Sequence, residues 1–211
     1  MRALLRIIGV LVLAAAFSTS ARADAATDCF SEDIDRRIEG CTALIERRDN
    51  SLTDLSMAYA MRALAFSLKG RYDTAVRDYD KAISMKPDFA VALNNRAWAY
   101  FRWGKPEVGL PDVEKSLELS PTSPHALDTR AHIRQALGDA KGALQDYDKA
   151  VWFGGPRMIK LYQCGLTEAR LYNGEIDGIW RPELKEALER CVVDRNCDPL
   201  PADEQCRAAT S

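Results

Sequence analysis

The sequence predicts an all-α protein, a solenoid of about three and a half helical hairpins closed by a small disulfide-rich helical cap. Residues recur at a spacing of 34 three times, and apolar residues on both sides of the recurring glycine follow helical spacing. The period then fails in the last quarter of the chain, where four of the six cysteines lie. A sustained period of this length is typical of stacked supersecondary units.

Length and composition agree with one domain, or with one domain and a small satellite. The chain has 211 residues, 47% of them hydrophobic, and a formal net charge of -2. The apolar fraction excludes a disordered chain, and the balanced charge gives no reason to expect a nucleic-acid partner.

Residues 1–23 are predicted to be a secretory signal. A short basic start precedes an apolar run at residues 7–17, and Ala21-Arg22-Ala23 has the small-x-small pattern of a cleavage site. The run is too short to cross a bilayer, which takes about 20 apolar residues. We expect cleavage after Ala23, with the position after Ala25 as the alternative.

The signal implies an exported protein, periplasmic or secreted, with no membrane span. Its three arginines and no acid mean that cleavage takes the net charge from -2 to -5. All six cysteines stay in the mature part, and an even number in an exported chain predicts disulfides.

Residues 24–55 are predicted to form an amino-terminal loop and a degenerate half repeat. Residues 36–47 have the pattern of a second repeat helix, with Cys41 on it and Cys29 in the loop before it. We expect a Cys29–Cys41 bridge that pins the loop onto this helix. Ser51 or Thr53 is expected to cap the next helix.

Residues 56–155 are predicted to form three full repeats. In each, a small residue (Ala63, Ala97 or Ala131) permits close helix approach, and a glycine follows seven residues later. Glycine tolerates the positive φ that ends a helix. The second repeat departs from the pattern at Pro106, Gly109 and Val113, so we expect its second helix to be shorter or shifted.

These repeats resemble the tetratricopeptide repeat (TPR) family. The matching residues are Tyr59, Ala63, Phe66, Gly70, Tyr72, Ala75, Tyr79, Ala82 and Pro87 in the first repeat; Leu93, Ala97, Tyr100, Gly104 and Pro121 in the second; and Leu127, Ala131, Gly138, Ala143, Tyr147 and Ala150 in the third.

The resemblance implies a concave groove lined by the first helix of each repeat, which binds a peptide or protein. The groove positions we single out are Asn94, Asn95, Trp98, Phe101, Arg102, His125, Asp128 and His132, with Thr129 and Gln135 beside them. Asparagine side chains can pair with a peptide backbone, and aromatic rings can bury an apolar side chain. The alternative for Trp98 and Phe101 is core between repeats.

Residues 156–211 are predicted to form a capping helix, a glycine-containing turn with a following helix, and a cysteine-rich tail. Tyr172, Gly174, Ile176, Asp177, Gly178, Trp180, Pro182, Ala187 and Leu188 fit the pattern of the peptidoglycan-binding-like family, whereas Arg181 and Leu184 depart from it. The resemblance implies possible glycan contacts at Tyr172, Asp177, Trp180 and Arg181. The alternative is a purely structural plug.

The same resemblance places Cys191 where that family has a core aromatic residue facing the first helix. We therefore expect a Cys164–Cys191 bridge, which leaves Cys197–Cys206. Cys191–Cys206 is the alternative.

No catalytic, cofactor or metal site is predicted. The chain lacks the common nucleophile, phosphate-loop and zinc-hydrolase motifs, and the tail cysteines lack the close pairing of a zinc site. His125 and His132 are expected to make surface or groove contacts. The recurrent arginines and aspartates are expected to pair within each repeat; they are Arg62 with Asp78, Arg96 with Asp112, and Arg130 with Asp146.

The predicted function is therefore that of an exported, non-catalytic TPR scaffold that binds a peptide or protein partner in the bacterial cell envelope. The bacterial assignment rests on the signal, the repeats and the capping segment together. The alternative is a protein anchored to peptidoglycan by its carboxy-terminal segment, and a third possibility is a structural assembly subunit.

Overall fold

The computed structural model describes residues 25–47 and 51–200, and the predicted signal lies outside them. The described residues form α-helices and no β-strand, which confirms the all-α prediction. The chain divides into two compact units between Ala92 and Leu93, and each is described in turn.

The described part of the first unit includes three long helices, each packed on its neighbour in sequence. They are α1 (Ile34–Ile45), α2 (Leu52–Leu68) and α3 (Tyr72–Met85). Asp33 caps α1 through its carboxylate, and the Ser51 hydroxyl accepts a hydrogen bond from the Asp54 N–H to cap α2. Ser51 is thus the cap, of the two candidates in the sequence.

A disulfide joins Cys29 to Cys41 of α1, as predicted. Cys29 ends a helical stretch over residues 25–29, however, where the sequence predicted a loop. Both cysteines are fully buried and cluster with Ala58 of α2. Gly40 permits the close approach, because a Cβ there would lie 2.5 Å from the Cys29 nitrogen. The absence of a side chain at Gly40 therefore lets the backbone of Cys29 approach α1 closely.

The second unit begins within α4 and contains the remaining helices. They are α4 (Ala90–Arg102), α5 (Pro106–Leu119), α6 (Pro124–Leu137), α7 (Ala140–Glu168) and α8 (Pro182–Val192). The repeat glycines Gly70, Gly104 and Gly138 have φ of 71°, 76° and 89°, which confirms their predicted role at the end of each first helix.

Helix α5 is not shorter or shifted, so that prediction is wrong. It has 14 residues, as α3 has, and both begin at the same place in the 34-residue register. Pro106 occupies the first turn, where its missing N–H costs nothing. Gly109 faces Ala97 of α4 so closely that a Cβ would lie 2.7 Å from the Ala97 carbonyl oxygen. The glycine therefore brings the two helices together.

Helix α7 consists of two arms that meet at Gly155, whose φ of 59° and ψ of -152° are not helical. Tyr147 on the first arm and Tyr162 on the second belong to one buried cluster, together with Leu184 and Leu188 of α8. The carboxy-terminal helices therefore share their core with the third repeat.

Cys191 pairs with Cys197 in this unit. The predicted Cys164–Cys191 and Cys197–Cys206 bridges, and the alternative Cys191–Cys206, are therefore wrong. The chain reverses directly after α8, where the Asp194 N–H donates to the Cys191 carbonyl and the Cys197 N–H to the Asp194 carbonyl. This turn brings the two Cα atoms to 5.3 Å, a distance a disulfide spans. Cys164 is also disulfide-bonded.

The repeated arginine–aspartate pairs form as predicted, each linking the two helices of one hairpin. In every pair the Arg Nε and one terminal nitrogen donate to the two carboxylate oxygens over 2.7 to 2.9 Å. Two parallel hydrogen bonds fix the helix pair in register. These arginines are accounted for without a ligand.

Candidate functional site

Three aromatic side chains of the second unit lie together beside a cation. The ring of Trp98 lies 5.1 Å from that of Phe101 and 5.3 Å from that of His132, between ring centroids, the latter edge to face. The Arg102 guanidinium lies 5.7 Å from the centroid of the Trp98 ring. Because α4 places residues four apart on one face, Trp98 and Arg102 are neighbours there.

The groove residues predicted from the register divide by exposure. Asn95, Trp98 and Phe101 are half-buried, while Arg102 and His125 are exposed. We call Asn95, Trp98, Phe101 and Arg102 the α4 surface. They are the part of the predicted set that a partner can reach on one helix.

Asn94, Asp128 and His132 do not lie on the surface, with 9%, 6% and 3% of their area exposed. The expectation that these three contact a partner directly is therefore corrected. The prediction for these residues used only the helical register, which gives the face of the helix on which a residue lies. The register does not show which other segments of the chain cover that face.

His132 is the centre of a buried polar network. Its Nδ1 lies 2.9 Å from the Asp128 carbonyl oxygen, and its Nε2 lies 3.0 Å from Oδ1 of Asp198. The hydroxyl of Tyr162 donates a short hydrogen bond to the Asp128 carboxylate. The network thus connects α6, α7 and the segment that follows α8.

The network favours a charged imidazole. Burial acts to lower the pKa of His132, but Asp128 and Asp198 outweigh it and raise the pKa to about 9. Burial raises the pKa of Asp128. Asp198 is desolvated too, yet the hydrogen bond from His132 lowers its pKa. The imidazole of His132 thus lies between two carboxylates, with Asp128 3.5 Å from its Nδ1 and Asp198 3.0 Å from its Nε2.

Gln135, one turn after His132, holds the same segment through its amide. Its Nε2 lies 3.2, 2.8 and 2.7 Å from the carbonyl oxygens of Cys191, Asp194 and Cys197. Its Oε1 accepts a hydrogen bond of 2.9 Å from the hydroxyl of Tyr147. A buried glutamine with all of these partners fixes the backbone it contacts.

Asp198 is a residue of this network that the sequence analysis did not predict. It lies 66 positions from His132, in a segment without a helical period. Only the Asp-Pro pair at 198–199, a turn signal, stands there in the sequence.

The carboxy-terminal turn (residues 172–182) is held by hydrogen bonds to the side chain of Gln163, which is fully buried. Its Oε1 accepts from the Gly178 N–H over 2.8 Å, and its Nε2 donates to Asp177 Oδ1 and to the Ile179 carbonyl oxygen, each over 3.1 Å. This glutamine was also missed, because nothing in its spacing sets it apart.

The four predicted glycan-contact residues differ in availability. Tyr172 is buried at 4% exposure, while Trp180 is exposed at 37%. Arg181 donates to both carboxylate oxygens of Asp177, over 2.8 and 2.6 Å. These bonds, followed by one from the Ile179 N–H, hold the pKa of Asp177 far below its usual range. Asp177 and Arg181 thus satisfy each other, and Trp180 is left to face solvent.

The described ranges 25–47 and 51–200 contain no group of three or more His, Cys, Asp or Glu residues placed to hold a metal ion. No helix in these ranges is long and apolar enough to span a bilayer.

The comparisons with known proteins identify the repeat and the fold. The sequence model described as TPR repeat matches residues 63–104. A comparison with curated proteins finds no significant match. Several solved structures are similar, among them those of MamA.

One crystal structure of MamA aligns with a TM-score of 0.53 at 17% identity, over 62% of this chain and 74% of that one. MamA from Desulfovibrio magneticus RS-1, residue 41 to the end, gives 0.57 at 16% identity, over 72% and 84%. The ArsTM double mutant of RS-1 MamA gives 0.58 at 15% identity, over 83% and 91%.

At these identities the similarity concerns the fold. Together with the match at residues 63–104, it confirms the predicted class of TPR helical hairpins. The chain therefore contains a tetratricopeptide repeat and has a fold similar to that of MamA.

Proposed function

We propose that this chain is an exported, non-catalytic scaffold that binds a peptide or protein partner in the bacterial cell envelope through the α4 surface. The observation that carries the proposal is the half-buried Trp98–Phe101 pair beside the exposed Arg102. Aromatic side chains and arginine are the residues most enriched where proteins bind one another.

The chemistry of the α4 surface specifies a kind of ligand. The rings of Trp98 and Phe101 offer an apolar contact, and the guanidinium of Arg102 offers donors for a carboxylate. Asn95 can pair with a peptide backbone whatever its side chains are. We therefore expect a segment with a large apolar side chain next to an acidic one.

Two observations support export. The first is the signal-like pattern of residues 1–23. The second is the pair of disulfides, Cys29–Cys41 and Cys191–Cys197, in the described residues. Disulfides persist in oxidising compartments such as the periplasm and are rare in the cytosol.

The test is capture of partners from the envelope fraction of the source cells by the immobilised mature protein, compared with Trp98→Ala and Asn95→Ala. Trp152→Ala is the matched control, because this tryptophan is 82% exposed and is not part of the α4 surface. We expect a loss of about tenfold or more for Trp98→Ala and none for Trp152→Ala. Equal capture by Trp98→Ala and the wild type, both folded by circular dichroism, would contradict the proposal.

The alternative function is attachment to peptidoglycan by the carboxy-terminal turn. The exposure of Ile179 (56%) and Trp180 (37%) favours it, because an exposed tryptophan can stack on a sugar ring. Co-sedimentation with insoluble peptidoglycan tests it. The full mature chain should pellet, and Trp180→Ala should lose this while Trp152→Ala keeps it. If the wild type stays in solution, the turn is a structural plug.

A further inference from the structure

The segment after α8 folds back onto one face of α6 without forming a helix. We call residues 193–200 the return loop. It is held at two adjacent residues, at Cys197 by the disulfide to Cys191 and at Asp198 by the contact of its carboxylate with His132. Two of the hydrogen bonds from Gln135 of α6 reach non-helical carbonyl oxygens of the loop, those of Asp194 and Cys197, as they would for a peptide laid along a repeat helix. The third reaches Cys191 at the end of α8.

The face of α6 that holds the loop consists of two donor side chains one turn apart. Gln135 gives its amide nitrogen to three backbone carbonyls, and His132 gives Nε2–H to a carboxylate. Both donors are 97% buried, with 3% of their area exposed. The return loop itself supplies three of these acceptors: the backbone carbonyls of Asp194 and Cys197, which any polypeptide could supply, and the carboxylate of Asp198, which only an acidic residue supplies.

The charges around the loop select an anion at this place. His132 faces Asp128 on its own helix, Tyr147 on α7, and Trp98 and Phe101 on α4. From the loop it meets only Asp198, and the positive charge of Arg102 on α4 further stabilises that carboxylate. A neutral side chain in place of Asp198 would leave the imidazolium with the buried Asp128 alone.

The return loop also fills space at the end of α6. A Cβ on Gly138 would collide with the Arg195 guanidinium. The Leu200 N–H donates to the Asp198 carboxylate over 2.9 Å, so the carboxylate is held toward His132. The loop is therefore held by packing against the end of α6 as well as by charge.

We propose that the His132–Gln135 face of α6 is a binding site for an extended acidic polypeptide segment, and that residues 194–198 occupy it in cis. This subsite lies beside the α4 surface, because the His132 ring contacts both Trp98 and Phe101. A partner that displaces the loop gains a carboxylate subsite next to the two aromatic rings. The loop thereby limits which ligands enter.

The test uses the full mature chain and a peptide copied from the return loop. The opened variant combines Cys191→Ser, Cys197→Ser and Asp198→Ala, which removes the disulfide and the carboxylate but leaves α6 unchanged. The probe is the labelled peptide Val-Asp-Arg-Asn-Ser-Asp-Pro-Leu, the sequence of residues 193–200 with serine in place of Cys197. The matched control peptide carries asparagine at the position of Asp198.

Fluorescence anisotropy at neutral pH should show binding of the probe to the opened variant and not to the wild type. In the wild type the tethered loop competes at an effective concentration of about millimolar. The control peptide should bind about tenfold or more weakly, because it lacks the charge. An opened variant that is helical by circular dichroism and binds neither peptide, or both equally, overturns the proposal.

A second measurement covers the case in which the opened variant does not fold. Asp198→Ala alone keeps the disulfide, and the proposal predicts faster amide hydrogen exchange across residues 193–200 than in the wild type. Glu186→Ala, at an exposed acid on α8, is the matched control and should leave that exchange unchanged. Identical exchange in Asp198→Ala and wild type overturns the proposal.

Discussion

The three arginine–aspartate pairs use the same residues at the same spacing but differ in their surroundings. The side-chain exposures of Asp78, Asp112 and Asp146 are 10%, 14% and 1%. Asp146 also accepts a hydrogen bond of 2.6 Å from Arg134, so it has two guanidinium partners. The third pair is therefore the one most embedded in the protein.

Asp146→Ala should consequently destabilise the fold more than Asp112→Ala. Removing Asp146 leaves two partly buried guanidinium groups, of Arg130 and Arg134, without their acceptor, at a cost of about 3 kcal/mol. Removing the more exposed Asp112 should cost about 1 kcal/mol. Urea unfolding of both variants measures the difference, and equal losses would mean that the second guanidinium adds nothing.

His132 should make the stability of the second unit depend on pH. Its pKa is raised from 6.5 to about 9 in the folded protein. Its charge therefore stabilises the fold fully below about pH 6.5, and this contribution is lost as the pH rises through about 9. Burial holds the pKa values of Tyr147 and Tyr162 well above 10, so these hydroxyls stay neutral in that window.

The measurement is the free energy of unfolding of the wild type and of His132→Gln at about pH 6 and about pH 10. The wild type should lose stability relative to the variant, by at most about 1.4 kcal/mol per pH unit. A constant difference between the two proteins would show that His132 does not carry the charge.

At the scale of the elements, the contact of α4 with α5 depends on one glycine. The backbone of Ala97 lies where a side chain at Gly109 would be. Gly109→Ala should raise the helix propensity of α5 and still destabilise the protein by about 1 to 3 kcal/mol, because the helices must move apart. Lys115→Ala, on the exposed side of α5, should change stability by about 0.5 kcal/mol or less.

Thermal or urea unfolding followed by circular dichroism compares these variants. A stabilised Gly109→Ala would show that the two helices can separate at no cost. In that case the glycine would not determine their distance.

The helices could be predicted from the sequence because their signals are local. The 34-residue register, the glycine with positive φ and the paired charges all act within one hairpin, and each was found where it was expected. The register was a better guide than the propensities of Pro106 and Gly109. In the structure those two residues begin α5 and bring it close to α4.

The buried part of the site could not be predicted, since it depends on residues far apart in sequence. The register put His132 among the groove contacts, but Asp198 and the return loop that bury it lie some 60 positions later. The bridge of Cys191 depends on a chain reversal after α8. The family resemblance that was used to predict the bridges concerned the helices, so it gave no information on this turn.

At the scale of the whole molecule, the disulfides and the return loop lie outside the repeat pattern, whereas the α4 surface lies within it. The repeats supply a rigid helix on which Asn95, Trp98 and Phe101 are presented. The return loop covers the side of α6 beside this surface. Its Asp198 carboxylate contacts His132, and its Cys197 carbonyl accepts a hydrogen bond from Gln135. This division is compatible with the binding surface that we propose on the repeats.

The most direct measurement is photo-crosslinking in the source cells, with a photoreactive phenylalanine analogue at position 101 of the exported chain. We predict a covalent adduct with a partner at this position, lost when Asn95→Ala is added and absent when the analogue replaces Trp152. An adduct at position 152 with none at 101 would contradict the account. So would an adduct at position 101 that Asn95→Ala leaves unchanged.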